Sequence, residues 1–206
     1  MNKSAIILAG GSSTRFGQDK GLLQLANKPL ITHVLDAVSG LVDEKIVVAS
    51  SKTQAESYAR VVESDAEVII DREKAQTPLL GALTGFEKSR GEYSFLLPCD
   101  TPLVSCAILS LLLELCVNKT ATVPRWPNGC IEPLQAVYHT KSALDAARSA
   151  INDGGLNMRD MVNRLNGVRY ISTLVLQQLD PNLETFFNVN TALDMKKGES
   201  LLMHRR

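Results

Sequence analysis

Four short apolar runs constrain this chain more than anything else in it. They are Ile6 to Ala9, Lys45 to Ala49, Glu67 to Ile70 and Tyr93 to Leu97. Each is followed by a polar or glycine-bearing loop and then by a stretch with helical spacing. Runs this short and this continuously apolar suit strands covered on both faces. Leu30, Ile31, Val34, Leu35 and Val38 mark a first helix, with Pro29 in its first turn. Thr53 to Val62 reads as a second helix. Thr77 caps a third, with Pro78 at its first position and Leu79, Leu80, Leu83 and Phe86 inside it. Ser105 caps a leucine-rich fourth that runs to Val117. This β-α-β-α order predicts an α/β fold: a three-layer, mostly parallel sheet with helices on both faces, of Rossmann-like type. The second half is less regular. Ala121 to Val123, Leu134 to Tyr138, Val168 to Ile171 and Phe186 to Val189 read as strands. Lys141 to Ile151 and a stripe of Met158, Met161, Val162 and Leu165 read as helices. Thr191 caps a last helix, and a frayed tail is expected from Gly198.

Several function classes fall away on composition. The chain has 206 residues, enough to bury a substantial core, and 22 basic residues balance 22 acidic ones. Broad electrostatic binding to nucleic acid or to an anionic membrane is not expected. Cys99, Cys106, Cys116 and Cys130 form no CxxC pair and only three histidines accompany them, which argues against zinc. Scattered thiols of this kind fit a cytoplasmic protein. The apolar run after Lys3 is too short for a signal peptide, and no run approaches the roughly 18 residues of a membrane span.

The chemistry is concentrated between Leu8 and Gly21, LAGGSSTRFGQDKG. An apolar strand opens into paired glycines, then small polar residues, then Arg15, Gly17 and Lys20. Glycine lets backbone approach a ligand closely, exposed amides donate to phosphate oxygens, and two cations neutralise the charge. Neither common phosphate fingerprint fits. Gly11 and Gly17 bracket five residues and Gly21 follows Lys20, so this is no GxxxxGK[ST] loop; Ser12 stands where a GxGxxG motif needs its second glycine. In open α/β sheets ligands sit beyond the carboxyl ends of the strands, and two carboxylates fall there as well. Asp71 follows the third run, and Asp100 follows the fourth in LPCDTP, between Pro98 and Pro102. Mg²⁺ brought in with a nucleoside triphosphate needs only one or two carboxylates, and Asp100 is the better candidate.

At this point the residues match a family pattern. LAGGSSTRFGQDKGLLQLANKPLI resembles the opening signature of the molybdenum cofactor guanylyltransferases. Asp71 with Thr77-Pro78-Leu79-Leu80-Gly81 is similar to that family's aspartate and GPLAG element. Pro98-Cys99-Asp100-Thr101-Pro102 resembles its metal loop, Glu132 to Tyr138 a further family segment, and Phe187-Asn188-Val189-Asn190-Thr191 its late F-x-NVNT signature. The resemblance covers nearly the whole chain. It implies one domain, 1–206, with a nucleotide-binding half at 1–104 and an acceptor-binding half at 105–197. It further implies transfer of GMP from GTP to molybdopterin with Mg²⁺ as cofactor and release of pyrophosphate. Leu8, Ala9, Gly10 and Gly11 would contact GTP, Lys20 its phosphates and Asp71 the nucleotide. Asp100 would touch both nucleotide and metal, with Arg15 and Lys20 neutralising charge during catalysis. Asn188 and Asn190 would lie toward the acceptor, or serve only as caps.

Departures from the pattern stand beside it. Thr77 and Leu80 replace a glycine and an alanine, and Ser51 stands near where many members carry a nucleotide-binding asparagine. A related cytidylyltransferase, an enzyme with another phosphorylated acceptor, and a non-catalytic nucleotide-binding regulator remain open at this stage. So does transient contact with proteins that deliver or receive the cofactor. Trp126 either stacks on a flat ring or folds back on the core; Arg159 and Arg164 either meet an anionic acceptor or form a solvated face. His33 and His139 read as structural.

Overall fold

The computed structural model describes residues 2–10, 19–62, 64, 66–71 and 77–204. The chain opens with β1 (Lys3–Leu8), a small hairpin of β2 (Gln24–Leu25) and β3 (Lys28–Pro29), and α1 (Leu30–Ser39). It continues through β4 (Glu44–Ala49), α2 (Lys52–Ala59), β5 (Ala66–Ile70), α3 (Pro78–Lys88), β6 (Tyr93–Pro98) and α4 (Cys106–Cys116). The second half adds β7 (Ala121–Arg125), β8 (Ala136–His139), α5 (Thr140–Asn152), α6 (Met158–Val162), β9 (Val168–Ser172), α7 (Thr173–Leu176) and α8 (Ala192–His204). Among the described residues, no helix is long and apolar enough to cross a membrane.

Seven strands form one sheet in the order β5-β4-β1-β6-β8-β7-β9. β5, β4, β1 and β6 run parallel, as do β7 and β9. β8 is antiparallel to both β6 and β7. The sheet is therefore mostly parallel, as the alternating pattern predicts. Its central strands β1, β4 and β6 are buried from both sides because successive residues feed different layers. Ala5 and Ile7 pack with Val34, Tyr58 and Leu109 from α1, α2 and α4. Ile6 packs with Leu79, Ala147 and Met161 from α3, α5 and α6. A strand with period 2 and both faces covered must be apolar at every position, which is what KIVVA and its fellows encode.

Caps anticipated from the sequence are in place. Thr77 Oγ1 accepts from Leu80 N at 3.3 Å, with Pro78 at the first helical position, and Ser105 Oγ accepts from Ile108 N at 3.4 Å. Two expectations need correction. Phe186 to Val189 is not a strand: Glu184–Phe186 is a 3₁₀ turn, and Val189 N donates to Asp100 O at 3.0 Å rather than into a ladder. Its apolar residues serve two clusters, Phe186 the main core and Phe187 with Val189 a small one around Leu25 and Leu30. Nor does the chain fray from Gly198. α8 runs on to His204, and Gly198 is buried where a Cβ would stand 3.3 Å from Leu25 Cδ1.

α8 begins with a reciprocal cap. Thr191 Oγ1 accepts from Asp194 N at 3.2 Å, and Asp194 Oδ2 accepts from Thr191 N at 2.8 Å and Asn190 N at 2.9 Å. The Asn190 N–H, followed by the Thr191 donors, holds the Asp194 carboxyl below its ordinary value of 3.8. A carboxylate held low in this way contributes stability above its unfolded value and loses it as pH falls through the folded one. Asp194→Ala is expected to lower stability by about 1 kcal/mol at neutral pH. Denaturant midpoints of the variant and the parent should converge below about pH 3.8, and parallel curves across that range would reject the assignment.

Candidate active site

Strand order places the site. From β1 the chain moves outward through β4 to β5, then returns to lay β6 on the other side of β1. The loops leaving β1 and β6 therefore diverge in opposite directions, and the crevice between them is the switch point at which such sheets bind ligands. Register brings Leu8 opposite Pro98 at this edge. Cys99 N donates to Leu8 O at 3.1 Å and Ala9 N to Val48 O at 2.9 Å, which ties both loop origins to the sheet.

Lys20 and Asp100 meet at the crevice. Lys20 lies in the 3₁₀ turn Lys20–Leu22, and its ammonium is ion-paired with Asp100 Oδ2. The same ammonium donates to Asn190 Oδ1 at 2.6 Å, while Asp100 O accepts from Val189 N. Side chains of Lys20 and Asp100 are 21% and 18% exposed, so the pair is half-shielded yet reachable by a ligand. Three segments 80 and 90 residues apart in sequence thus converge on one cation and one carboxylate. Asp71 stands farther along the same edge, where its N donates to Ala49 O at 2.7 Å and its Oδ1 accepts from Thr84 Oγ1 at 3.0 Å. Ser51 is exposed and caps α2, its Oγ accepting from Gln54 N at 3.2 Å. Asn188 is exposed two residues before Asn190. Gly10 is described; Gly11 and Arg15 lie outside the described residues.

Burial, followed by the neighbouring Asp100 and Asp19 carboxylates, pushes the Cys99 thiol far above its ordinary value, in agreement with its reading as a non-nucleophile. Trp126 folds back: its Nε1 donates to Glu132 Oε1 at 2.6 Å and its ring lies 5.5 Å from that of Phe186. Arg164 is occupied by Asp153 and Asp160 O, whereas Arg159 is exposed. His33 Nε2 lies 2.9 Å from Leu25 O and His139 caps α5, both structural roles. Sequence reasoning missed the partners of Asp19, the residue before Lys20: Tyr58, Gln54 and Gly21 N all donate to its carboxylate. The only available signal was one tyrosine in an otherwise polar helix.

A mostly parallel sheet with a lysine and an aspartate paired at its switch crevice has the architecture of the nucleotide-binding α/β enzymes. Residues 5–168 match the model of the MobA-like NTP transferase domain. The chain belongs to that family and is a nucleotidyltransferase of molybdenum cofactor biosynthesis. It is 32% identical over 209 residues to a probable molybdenum cofactor guanylyltransferase of Methanosarcina mazei, covering 99% of this chain and 92% of that one. A probable molybdenum cofactor guanylyltransferase of Bacillus anthracis is 31% identical with full coverage of both, 100% each. Among solved structures, the molybdopterin-guanine dinucleotide biosynthesis protein A of Archaeoglobus fulgidus superposes with a TM-score of 0.81 at 28% identity, over 98% of this chain and 99% of that one.

Proposed function

We propose that this chain transfers GMP from GTP to the terminal phosphate of molybdopterin and releases pyrophosphate. The observation that carries the reading is the convergence of Lys20 and Asp100 on the switch crevice, in a chain whose near-full-length relatives bear the guanylyltransferase name. An oxygen of the acceptor's phosphate attacks the α-phosphorus, the bond from that phosphorus to the bridging oxygen breaks, and pyrophosphate leaves. A phosphate monoester is already anionic, so no strong base is required, and catalysis rests on positioning and charge neutralisation.

Leu8 and Ala9, whose Leu8 O and Ala9 N are tied to the sheet, lead into Gly10 and Gly11, which offer backbone to the nucleotide; Asp71 and Ser51 stand along its nucleoside side. Lys20 neutralises phosphate charge, with Arg15 as its partner in the same loop. Asn188 faces the acceptor, and Asn190 stands where the acceptor half, 105–197, meets the nucleotide half, 1–104. The single carboxylate paired with Lys20 at the crevice, Asp100, fits Mg²⁺, which takes few protein carboxylates and completes its shell with phosphate oxygens and water. Asp100 would hold the ion. When bound, Mg²⁺ supplies charge stabilisation at the phosphates. The free thiols of Cys106 and Cys130 are exposed, which fits a reducing cytoplasmic setting.

Calorimetric titration with GTP, CTP and ATP, each with and without Mg²⁺, tests the reading. Selective, Mg²⁺-dependent binding of GTP is expected. Preference for CTP would make the chain a cytidylyltransferase, and no binding of any of the three would reject the nucleotide site.

A further inference from the structure

The helix α2 is oddly placed for a core element. Its sequence, KTQAESYA, buries a single side chain, Tyr58, which has no exposed surface at all. That one ring does not simply fill space. Its hydroxyl donates to Asp19 Oδ1 and also lies 3.4 Å from Ala9 O. Ala9 and Asp19 are the two ends between which the Gly-rich segment is strung, so one phenol touches both the entry and the exit of that segment. Gln54, one turn earlier on α2, adds a second grip. Its Nε2 donates to Asp19 Oδ2, and its Oε1 accepts from Ser50 N at 2.6 Å and Ser50 Oγ at 2.9 Å. Asp19 N-caps the turn that carries Lys20, accepting from Gly21 N at 3.3 Å. Gly21 is fitted to the ring: a Cβ there would lie 2.4 Å from Tyr58 Oη. Burial keeps the phenol protonated at any working pH, so it remains a donor.

We propose that Tyr58 and Gln54 are positioning residues that act through Asp19, clamping the two ends of the Gly-rich segment so that Lys20 is aimed at Asp100. The clamp explains why a helix with so little buried surface is docked against the sheet: its task is to hold a loop base. It rests on the phosphate-binding reading of Lys20 for its catalytic consequence, but its geometric content stands apart from that reading.

Two measurements on the full chain test it. Hydrogen exchange compares the parent with Tyr58→Phe, which keeps the ring and removes the donor. Amides of Gly21 and Leu22 should exchange about tenfold faster, while those of Ile6 and Val47 in the sheet centre stay unchanged. Unchanged exchange at Gly21 and Leu22, or a uniform rise everywhere, would overturn the clamp. The second is a double-mutant cycle on Mg²⁺-GTP binding. Tyr58→Phe should weaken binding about tenfold in the parent and less than about twofold in the Lys20→Ala background. Equal losses in both backgrounds would make Tyr58 a merely structural residue and overturn its positioning role. Asp19→Asn, which retains an acceptor oxygen for Tyr58, should lose less than Asp19→Ala. A parent protein that binds no GTP would strike the proposed substrate, and the exchange measurement would still decide the clamp.

Discussion

Asp100→Ala is expected to abolish nucleotidyl transfer, with a loss of about 10³-fold or more, while leaving the fold intact. The asymmetry follows from what Asp100 contributes to each. Its structural contribution is made by the backbone: Asp100 O accepts from Val189 N and so anchors the segment leading to α8. Alanine keeps that carbonyl. Among the described residues the hydrogen-bond partner of its side chain is the Lys20 ammonium, which is 21% exposed and retains both Asn190 Oδ1 and water when the carboxylate is removed. A half-shielded pair of this kind is worth little to stability, so the thermal midpoint should move by only a few degrees. The function lost is larger because Asp100 is the carboxylate paired with Lys20 at the crevice, where the proposed ion and the phosphates would meet. Steady-state pyrophosphate release and circular dichroism, taken on the same preparation, separate the two effects. Transfer at parental rate would remove the metal assignment, and a collapsed spectrum would show that the carboxylate is structural after all.

The first four strands and their helices were legible because their local and global demands agree. A strand buried on both faces has to be apolar at every residue, and a helix with Thr77 or Ser105 in front of it has its first turn satisfied before any packing occurs. The C-terminal third gave false signals for the opposite reason. Phe186, Phe187 and Val189 have the composition of a strand, yet they are anchor points that fasten an irregular segment to two separate apolar clusters. Gly198 read as the start of a tail, but its missing side chain is what admits Leu25 and Phe187 to the surface of α8. The β2–β3 hairpin carried no Asn-Gly signal; it turns through Ala26 and Asn27 at φ 50° and 63°, a conformation alanine adopts only under constraint.

For the site, Asp71 and Asp100 were legible because each follows an apolar run and so lands on the carboxyl edge of the sheet, and Lys20 because it is a cation of the glycine-bearing stretch after the first run. Asn190 was visible only through a family signature, and its contact with Lys20 depends on how α8 packs on the hairpin, which no local pattern encodes. The grip of Tyr58 on Asp19 spans 39 residues and was invisible for the same reason.

Lys20→Ala is expected to weaken Mg²⁺-GTP binding roughly 10- to 100-fold and to slow transfer by about 10²- to 10³-fold. The larger effect on rate follows from geometry. The ammonium does not float at the crevice; it is held between Asp100 Oδ2 and Asn190 Oδ1, on a turn whose cap, Asp19, is itself gripped from α2. A charge fixed in advance stabilises charge that develops during the reaction without reorganising, and that contribution appears in the rate more than in binding. Lys20→Arg is expected to recover binding but little of the rate. The guanidinium restores the positive charge, but its planar fork cannot point donors at Asp100, Asn190 and a phosphate in the way that a compact tripod of N–H groups can. Titration calorimetry gives the affinity and single-turnover release of pyrophosphate gives the rate. An affinity equal to that of the parent would remove Lys20 from the phosphate site, whereas full activity in Lys20→Arg would reduce its role to charge alone and deprive the preorganised geometry of its purpose.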